Sequence, residues 1–378
     1  MTSLKRALNA YHTDKVEIKR IDQKESRAIV ETIKKDVYHF LREINVPVRP
    51  FEAIGSVFEG LKVITYDEFD LLMPIKITNH VKVIPIRKAG QCYLSLKRHT
   101  NRYIRGSSGS RNEWSKDLSR YTDDKGYLSA TLVRRAFQSF LQRWVSVFQS
   151  KHQPTPYIIS VSTGGPAITV QLQKGGPKLS IDFVPALDLT DTDSLHIAKP
   201  RKQGDLESDI GSDNGEESLW MISHCRLEKV TLKNIDRHDN GCRKKCIKIL
   251  KTIRQHREQL RGLSNYAFKM IILKLNNERS WLSKDLADCF VDSIKELHRS
   301  LEIQNLPSYF NKSVNIFASM SPIAMANMEG YLKRIIRKRT YIDDLLTCPE
   351  RCKMCYTLSL PQQTQHQEII DWRFDRRQ

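Results

Sequence analysis

Gly55-Ser56-Val57-Phe58-Glu59-Gly60-Leu61-Lys62-Val63-Ile64-Thr65-Tyr66-Asp67-Glu68-Phe69-Asp70 decides the reading of this chain. Read as a strand, it sets Glu68 and Asp70 on one face and turns Phe69 and Leu71 toward a core, because side chains alternate along extended backbone. Two carboxylates side by side repel unless a cation lies between them, and hard oxygen donors of this kind suit Mg²⁺ or Mn²⁺. Gly55-Ser56 supplies a small, flexible turn that can bring a hydroxyl and backbone N–H groups to a phosphate. By itself Glu-x-Asp is common and more often marks a solvated strand edge. Gly-Ser at this distance upstream shifts the reading toward a site that handles metal and phosphate.

The composition sets wider bounds. The 378 residues suffice for two or three domains and a sizeable core. A chain that is 40% hydrophobic and 28% charged reads as soluble and globular. Its net charge of +19 points to phosphate polymers, nucleoside triphosphates or an anionic membrane as attractors. No apolar run is long enough to cross a bilayer, and Met-Thr-Ser-Leu-Lys-Arg at the start has neither a signal-peptide core nor a myristoylation Gly. Eight cysteines without a signal peptide then read as reduced thiols in the cytoplasm.

Outward from the opening stretch, Ser26 to Ile44 carries Ile29, Ile33, Val37, Phe40, Leu41 and Ile44 at helical spacing, with Ser26 as N-cap and an end before Pro47. A basic arm precedes it, with Lys5, Arg6, Lys15, Lys19, Arg20 and Lys24. Val81–Pro85 and Cys92–Leu96 read as strands, Lys97–Arg111 as a basic Gly/Ser-rich loop, and Leu128–Phe148 as a helix. A hairpin follows: Ile168, Val170 and Leu172 alternate with polar residues, Lys174-Gly-Gly-Pro177 turns, and Leu179–Leu187 returns. On the return strand Ile181 and Phe183 share a face, so Asp182 points the other way. Gly204–Glu217 is acidic and poor in apolar residues, a surface loop. From Cys242 onward helical periodicity dominates, near 245–261, 265–275, 284–300 and 325–339. These shifts divide the chain into residues 1–217 and 218–378.

With three carboxylates placed, the order and spacing of several motifs become specific. They are Gly55-Ser56, Glu68-Phe69-Asp70, Leu179-Ser-Ile-Asp182, Trp220-Met-Ile-Ser223, Cys242-Arg-Lys-Lys-Cys246 running to Lys251, Ser264-Asn-Tyr-Ala-Phe-Lys269, and Trp281 to Leu286 with Cys289-Phe290. Together they resemble the cyclic GMP-AMP synthase (cGAS) family of nucleotidyltransferases, in its cGAS-like receptor branch. The resemblance implies an α+β bilobed nucleotidyltransferase fold: a twisted mixed sheet bearing the carboxylates and a C-terminal helical lobe, joined by a long N-terminal spine helix. It implies Glu68, Asp70 and Asp182 as ligands of two Mg²⁺ or Mn²⁺ ions and Ser56 as a contact to donor phosphate. Lys251 and Lys269 match the cleft lysines of the family, Tyr266 its base-stacking aromatic, and Asn265 a position where it often has Ser. Ser223 and Glu228 fall in the stretch that lines the acceptor base. On spacing alone, Lys251 and Lys269 read as solvated helix lysines and Tyr266 as a core residue.

Two departures bear on what is made and what is sensed. Met221 stands where vertebrate cGAS has a base-reading arginine, which puts base choice in doubt. The zinc-binding thumb is missing: His238-Asp-Asn-Gly-Cys242 runs directly into a helix, and Cys242 with Cys246 lacks further ligands, so no zinc is expected. Cys348, Cys352 and Cys355 have the spacing of a radical-SAM cluster, or of a zinc site completed by His366. Free thiols are the simpler reading. Thumbless, insect-type relatives point to double-stranded RNA as activator. The candidate surface is Lys15, Lys19, Arg20, Lys24, Arg27, Lys34 and Lys35, with Lys97, Arg98, Arg102 and Arg105, or Lys333, Arg334, Arg337 and Lys338, as further groups. The implied activity is synthesis of a cyclic dinucleotide from ATP and GTP, read by a receptor such as STING, with no membrane and room for a dimer on the RNA. A template-free polymerase of the poly(A) or CCA type and a non-catalytic nucleic-acid binder are the alternatives.

Overall fold

The computed structural model describes residues 3–18, 20–75, 81–85, 91–96, 118–152, 156–175, 178–189, 197–200, 218–236, 239–337 and 339–347. Lys97–Arg111, Gly204–Glu217, His238, the Gly176-Pro177 turn and the three C-terminal cysteines lie outside the described residues.

Helix α1 (Ser3–Tyr11) buries Leu4, Leu8 and Tyr11 at a spacing of four and three. A π-helical turn, His12–Val16, adds Val16. These four side chains join the core of the C-terminal helices, so the expected basic arm is an amphipathic segment packed along one face. Helix α2 (Arg20–Glu43) begins six residues before the expected cap, and Ser26 lies inside it. It stops where Asn45 turns left-handed at φ 60°. The Val46 N–H bonds the Leu41 carbonyl and the Asn45 N–H that of Arg42, closing the last turn. Starting beside the helical core, α2 buries Val30, Ile33, Val37, Phe40 and Leu41 against the sheet.

The remaining elements follow in order: β1 (Glu52–Ile54), α3 (Gly55–Phe58), β2 (Glu68–Ile75), β3 (Val81–Pro85), β4 (Gln91–Leu96) and α4 (Ala130–Lys151). Then come β5 (Ile158–Gly164), β6 (Ala167–Gln173), β7 (Leu179–Asp188), β8 (Ile197–Pro200) and β9 (Trp220–Ser223). The helical lobe holds α5 (Cys225–Asp236), α6 (Cys242–His256), α7 (Asn265–Lys274), α8 (Leu286–Glu302), α9 (Pro322–Arg337) and α10 (Arg339–Leu345). Among the described residues the sheet has nine strands in the order β1-β2-β7-β8-β9-β4-β3, with β6 also on β7 and β5 beyond it. The β2–β7 pair is parallel and the other pairs antiparallel, so the sheet is mixed.

Phe69, Leu71, Met73, Ile181 and Phe183 turn into a core closed by α2 and α4. Ser129 caps α4 by accepting the Leu132 N–H, and the Trp144 indole N–H reaches Asp36 of α2 at 2.7 Å. The opposite face begins with carboxylates and turns apolar at Leu72, Val184 and Ala186. A second core lies among α1 and α6 to α10. Leu61 and Val63, from the connection between α3 and β2, are buried in that second core. The same connection therefore joins the carboxylate strand to the helical lobe. No helix among the described residues is long and apolar enough to cross a membrane.

Candidate active site

Parallel pairing sets Asp70 of β2 opposite Asp182 of β7, and Glu68 opposite Ser180. Neighbouring strands lie about 4.8 Å apart, so these carboxylates share one small patch. Thr169 of β6 stands across from Asp182 and donates its hydroxyl to Oδ1 at 2.6 Å. A cavity of about 460 Å³ opens here, lined by Asp67, Glu68, Thr169, Lys178, Ser180 and Asp182. Burial, then the charges of Asp182 and Glu68, push the Asp70 carboxyl up to about 7, against the fields of Lys62 and Lys199. Burial raises Asp182 as well, with Thr169 opposing. Among the described residues no group of three His, Cys, Asp or Glu side chains is placed to hold a metal ion, but the donors gathered here are the hard oxygens that a divalent cation takes.

This arrangement has a pH signature. The folded value of Asp70 stands above its unfolded one, so its stabilising contribution is full in acid and is lost as pH rises from 3.8 to about 7. A bound cation must displace that proton. Mn²⁺ affinity should therefore fall about tenfold per pH unit below neutrality. Asp70→Asn should bind Mn²⁺ poorly yet melt higher than the metal-free wild type in mild alkali. Mn²⁺ titrations followed by electron paramagnetic resonance, with melting curves, check both; a flat affinity profile contradicts the assignment.

A tight turn brings Gly55 against the patch, with Ser56 next in the chain. Ile54 pairs with Asp70, and Gly55 then adopts φ +79° to start α3. A Cβ on Gly55 would lie 1.9 Å from Asp70 Oδ2, so only glycine fits. The turn closes at Gly60 (φ 72°), with Leu61 N–H to Ser56 O at 2.7 Å and Gly60 N–H to Val57 O at 3.3 Å. The expected strand from 55 to 70 is thus a helical turn and a connection, with extended backbone from Glu68 onward.

From the helical lobe, α6 presents Lys251 and α7 presents Tyr266 and Lys269. Lys251 is 5% exposed and donates to the Leu61 carbonyl at 2.6 Å. Burial, with Lys62 and Lys269 nearby, pushes its ammonium down to about 8. Lys269 lies between Glu59 at 2.7 Å and Glu228 at 2.9 Å. Burial alone would lower it, but the two carboxylates raise it. The Tyr266 hydroxyl donates to Glu228 Oε1 at 2.7 Å, and the Lys269 ammonium stands 5.5 Å from the Tyr266 ring centre. Lys251, Tyr266, Lys269 and Glu228 thus converge around residues 59–61. Ser223, buried at the end of β9, leads into α5, which carries Glu228. Asn265, the first residue of α7, is exposed.

Several partners were not legible in the sequence. Glu59 and Lys62 lie within the opening stretch, but reading it as strand gave no sign that it folds back onto the helical lobe. Thr169 alternates correctly in its hairpin, and only its pairing with Asp182 marks it. Arg226 fixes α5 to the sheet through Glu52, at 2.5 and 2.8 Å, and Asp188, at 2.7 Å.

The expected RNA-facing residues are dispersed in kind. Arg27 donates to the Tyr66 hydroxyl at 2.7 and 3.0 Å, and Lys34 pairs with Glu31 at 3.3 Å. Lys24 and Lys35 are exposed on α2, and Lys15 is half-buried in the π-turn. Lys19 and the Arg20 side chain lie outside the described residues, as do Lys97, Arg98, Arg102, Arg105 and Lys338. Lys333, Arg334 and Arg337 are exposed on α9. Cys242 and Cys246 are free, buried thiols, as is Cys289 of α8.

Comparison with known proteins agrees with this architecture. The family model described as the Mab-21 protein nucleotidyltransferase domain matches residues 57–234, and that of the Mab-21 protein HhH/H2TH-like domain matches residues 242–334. A cyclic GMP-AMP synthase-like receptor 3 from Stylophora pistillata is 26% identical over 358 residues, covering 91% of this chain and 98% of that protein. A cyclic GMP-AMP synthase-like receptor from Ctenocephalides felis is 24% identical, covering 78% and 73%. Mitochondrial dynamics protein MID51 from Danio rerio is 26% identical, covering 85% of this chain and 66% of its own length. With both domain models matched in order, and the carboxylate strands and cleft helices falling within them, this chain belongs to the Mab-21 nucleotidyltransferase family and is similar to its cyclic GMP-AMP synthase-like receptors.

Proposed function

We propose that this nucleotidyltransferase joins ATP and GTP into cyclic GMP-AMP when double-stranded RNA binds it. The observation that carries the reading is the register of β2 on β7, which gathers Glu68, Asp70 and Asp182 on one face, with Lys251 of the helical lobe bonded to the connection that leads into it. Glu68, Asp70 and Asp182 would hold Mg²⁺ or Mn²⁺, which when bound acidifies an acceptor hydroxyl and neutralises leaving pyrophosphate. Lys251 attracts the triphosphate as a point charge, Lys269 reaches it only by leaving Glu59 or Glu228, and Ser56 offers a hydroxyl to it. Tyr266 supplies a face for a base, with its hydroxyl held by Glu228. Thr169 occupies Oδ1 of Asp182, leaving Oδ2 to take the proton of the acceptor ribose hydroxyl as its oxygen bonds to the α-phosphorus and pyrophosphate departs.

The nucleotide contacts predict separable losses. Lys251→Met should weaken triphosphate binding with little effect on base preference. Tyr266→Ala should cost on the order of 1–3 kcal/mol of nucleotide affinity through lost stacking. Tyr266→Phe should lose less, because the ring remains. Nucleotide titrations on each variant check this, and unchanged affinity in Lys251→Met and Tyr266→Ala would return both residues to a structural role.

Duplex RNA recognised by shape and phosphate should bind without sequence preference and weaken steeply with salt. The Arg27–Tyr66 contact favours this route of activation, because it joins α2 to the residues just before Glu68. The proposal places the protein in the cytoplasm, with its product read by a receptor such as STING. The test incubates pure protein with labelled ATP, GTP and Mn²⁺, with duplex RNA, with duplex DNA and without either. A phosphatase-resistant small product that needs duplex RNA supports the reading. A lengthened RNA makes it a polymerase. No product under any condition aligns it with a non-synthetic role, and equal activation by DNA overturns RNA sensing.

A further inference from the structure

We propose that Lys62 is a third phosphate-site lysine: it neutralises the carboxylate face in the nucleotide-free protein and turns to substrate phosphate when a divalent cation displaces it. This rests on the metal and triphosphate reading above. The Lys62 ammonium stands 2.9 Å from Glu68 Oε2 and 3.2 Å from Asp67 Oδ1. Its side chain is 12% exposed, while Glu68 is 57% and Asp67 44% exposed, so the pair is half-solvated, worth little to stability and readily exchanged.

The backbone that carries it is fixed from two sides. Leu61, the residue before it, gives its N–H to Ser56 O at 2.7 Å and its carbonyl to the Lys251 ammonium at 2.6 Å. The Lys62 backbone is therefore held at a set distance from both the turn at Ser56 and the Lys251 ammonium. Its charge acts on Asp70 and Asp182 and also on Lys251, so it lies near both the acids and that lysine.

A divalent cation on Glu68 cannot share that carboxylate with an ammonium at 2.9 Å without strong like-charge repulsion. The displaced ammonium keeps only Asp67, at 3.2 Å and half-exposed, as a partner. Substrate phosphate held near Ser56 and Lys251, with more charge than one solvated carboxylate, is the stronger anion it would turn to.

The experiment uses the full chain as wild type, Lys62→Gln, Lys62→Arg and Asp70→Asn. Mn²⁺ binding is measured on nucleotide-free protein by electron paramagnetic resonance. Affinity for a non-hydrolysable ATP analogue is then measured in saturating Mn²⁺. Lys62→Gln should bind Mn²⁺ about five- to tenfold more tightly and the analogue weaker by a similar factor. Lys62→Arg should match the wild type in both. Unchanged Mn²⁺ affinity in Lys62→Gln overturns the neutralising role, and unchanged analogue affinity overturns the phosphate role. Asp70→Asn separates the two levels of the argument: if it binds Mn²⁺ as the wild type does, the metal reading itself falls.

Discussion

Replacing Glu68 and Asp70 together by alanine should lower nucleotidyl transfer by on the order of 1,000-fold or more, with the fold intact. The two side chains face the cleft, and the strand that bears them is held from its other face by Phe69, Leu71 and Met73. Removing them takes away a half-buried Asp70 carboxyl that resists ionisation and an exposed Glu68, so metal-free thermal stability should hold or rise. Product formation and melting temperature, measured on the same preparation, check both halves. A double variant that works at a near wild-type rate would remove the catalytic role of this face.

Gly55→Ala should be nearly as damaging, although glycine carries no chemistry. The new Cβ would meet Asp70 Oδ2 at 1.9 Å, Cγ at 2.6 Å and Cβ at 2.9 Å, and Asp70 is pinned between β1 and β7. Alanine at φ +79° adds a backbone penalty of about 1–2 kcal/mol. The expected result is at least a roughly 100-fold loss of rate, with destabilisation of about 2–4 kcal/mol, because the carboxylate must move or the turn must unwind. Gly60→Ala is the control. It shares a positive φ of 72°, but its Cβ would meet only the flexible end of Lys244 at 3.7 Å. It should lose stability through the backbone term and keep most of its activity. Equal inactivation of the two variants would contradict a specific clash with Asp70.

The carboxylate face was legible because it obeys a period of two. Phe69 against Asp70, and Ile181 and Phe183 against Asp182, announce their faces by alternation alone. Leu61 and Val63 alternate in the same way, yet they enter the helical core and not the sheet, so their burial could be read but not the body that buries them. Leu4, Leu8 and Tyr11 were masked by the lysine and arginine between them, and the amphipathic α1 passed for a basic arm. Lys269 looked solvated by spacing. It is buried only because Glu59 and Glu228, 210 and 41 positions away, converge on it. Gly55 could not declare its constraint, which exists only once β1 folds back along β2 and sets Ile54 beside Asp70. Local pattern thus revealed strands and acids, while long-range closure of residues 55–67 completed the site.

The central claim is geometric: divalent cations and the triphosphate meet between Asp70, Asp182 and Lys251. Anomalous diffraction from crystals of the protein grown with Mn²⁺ and a non-hydrolysable ATP analogue tests it most directly. The account predicts Mn²⁺ bound by Glu68, Asp70 and Asp182, with the triphosphate running from Ser56 toward Lys251 and the base against Tyr266. Mn²⁺ bound away from these carboxylates, or an analogue seated elsewhere with the Lys62–Glu68 contact unbroken, would contradict it.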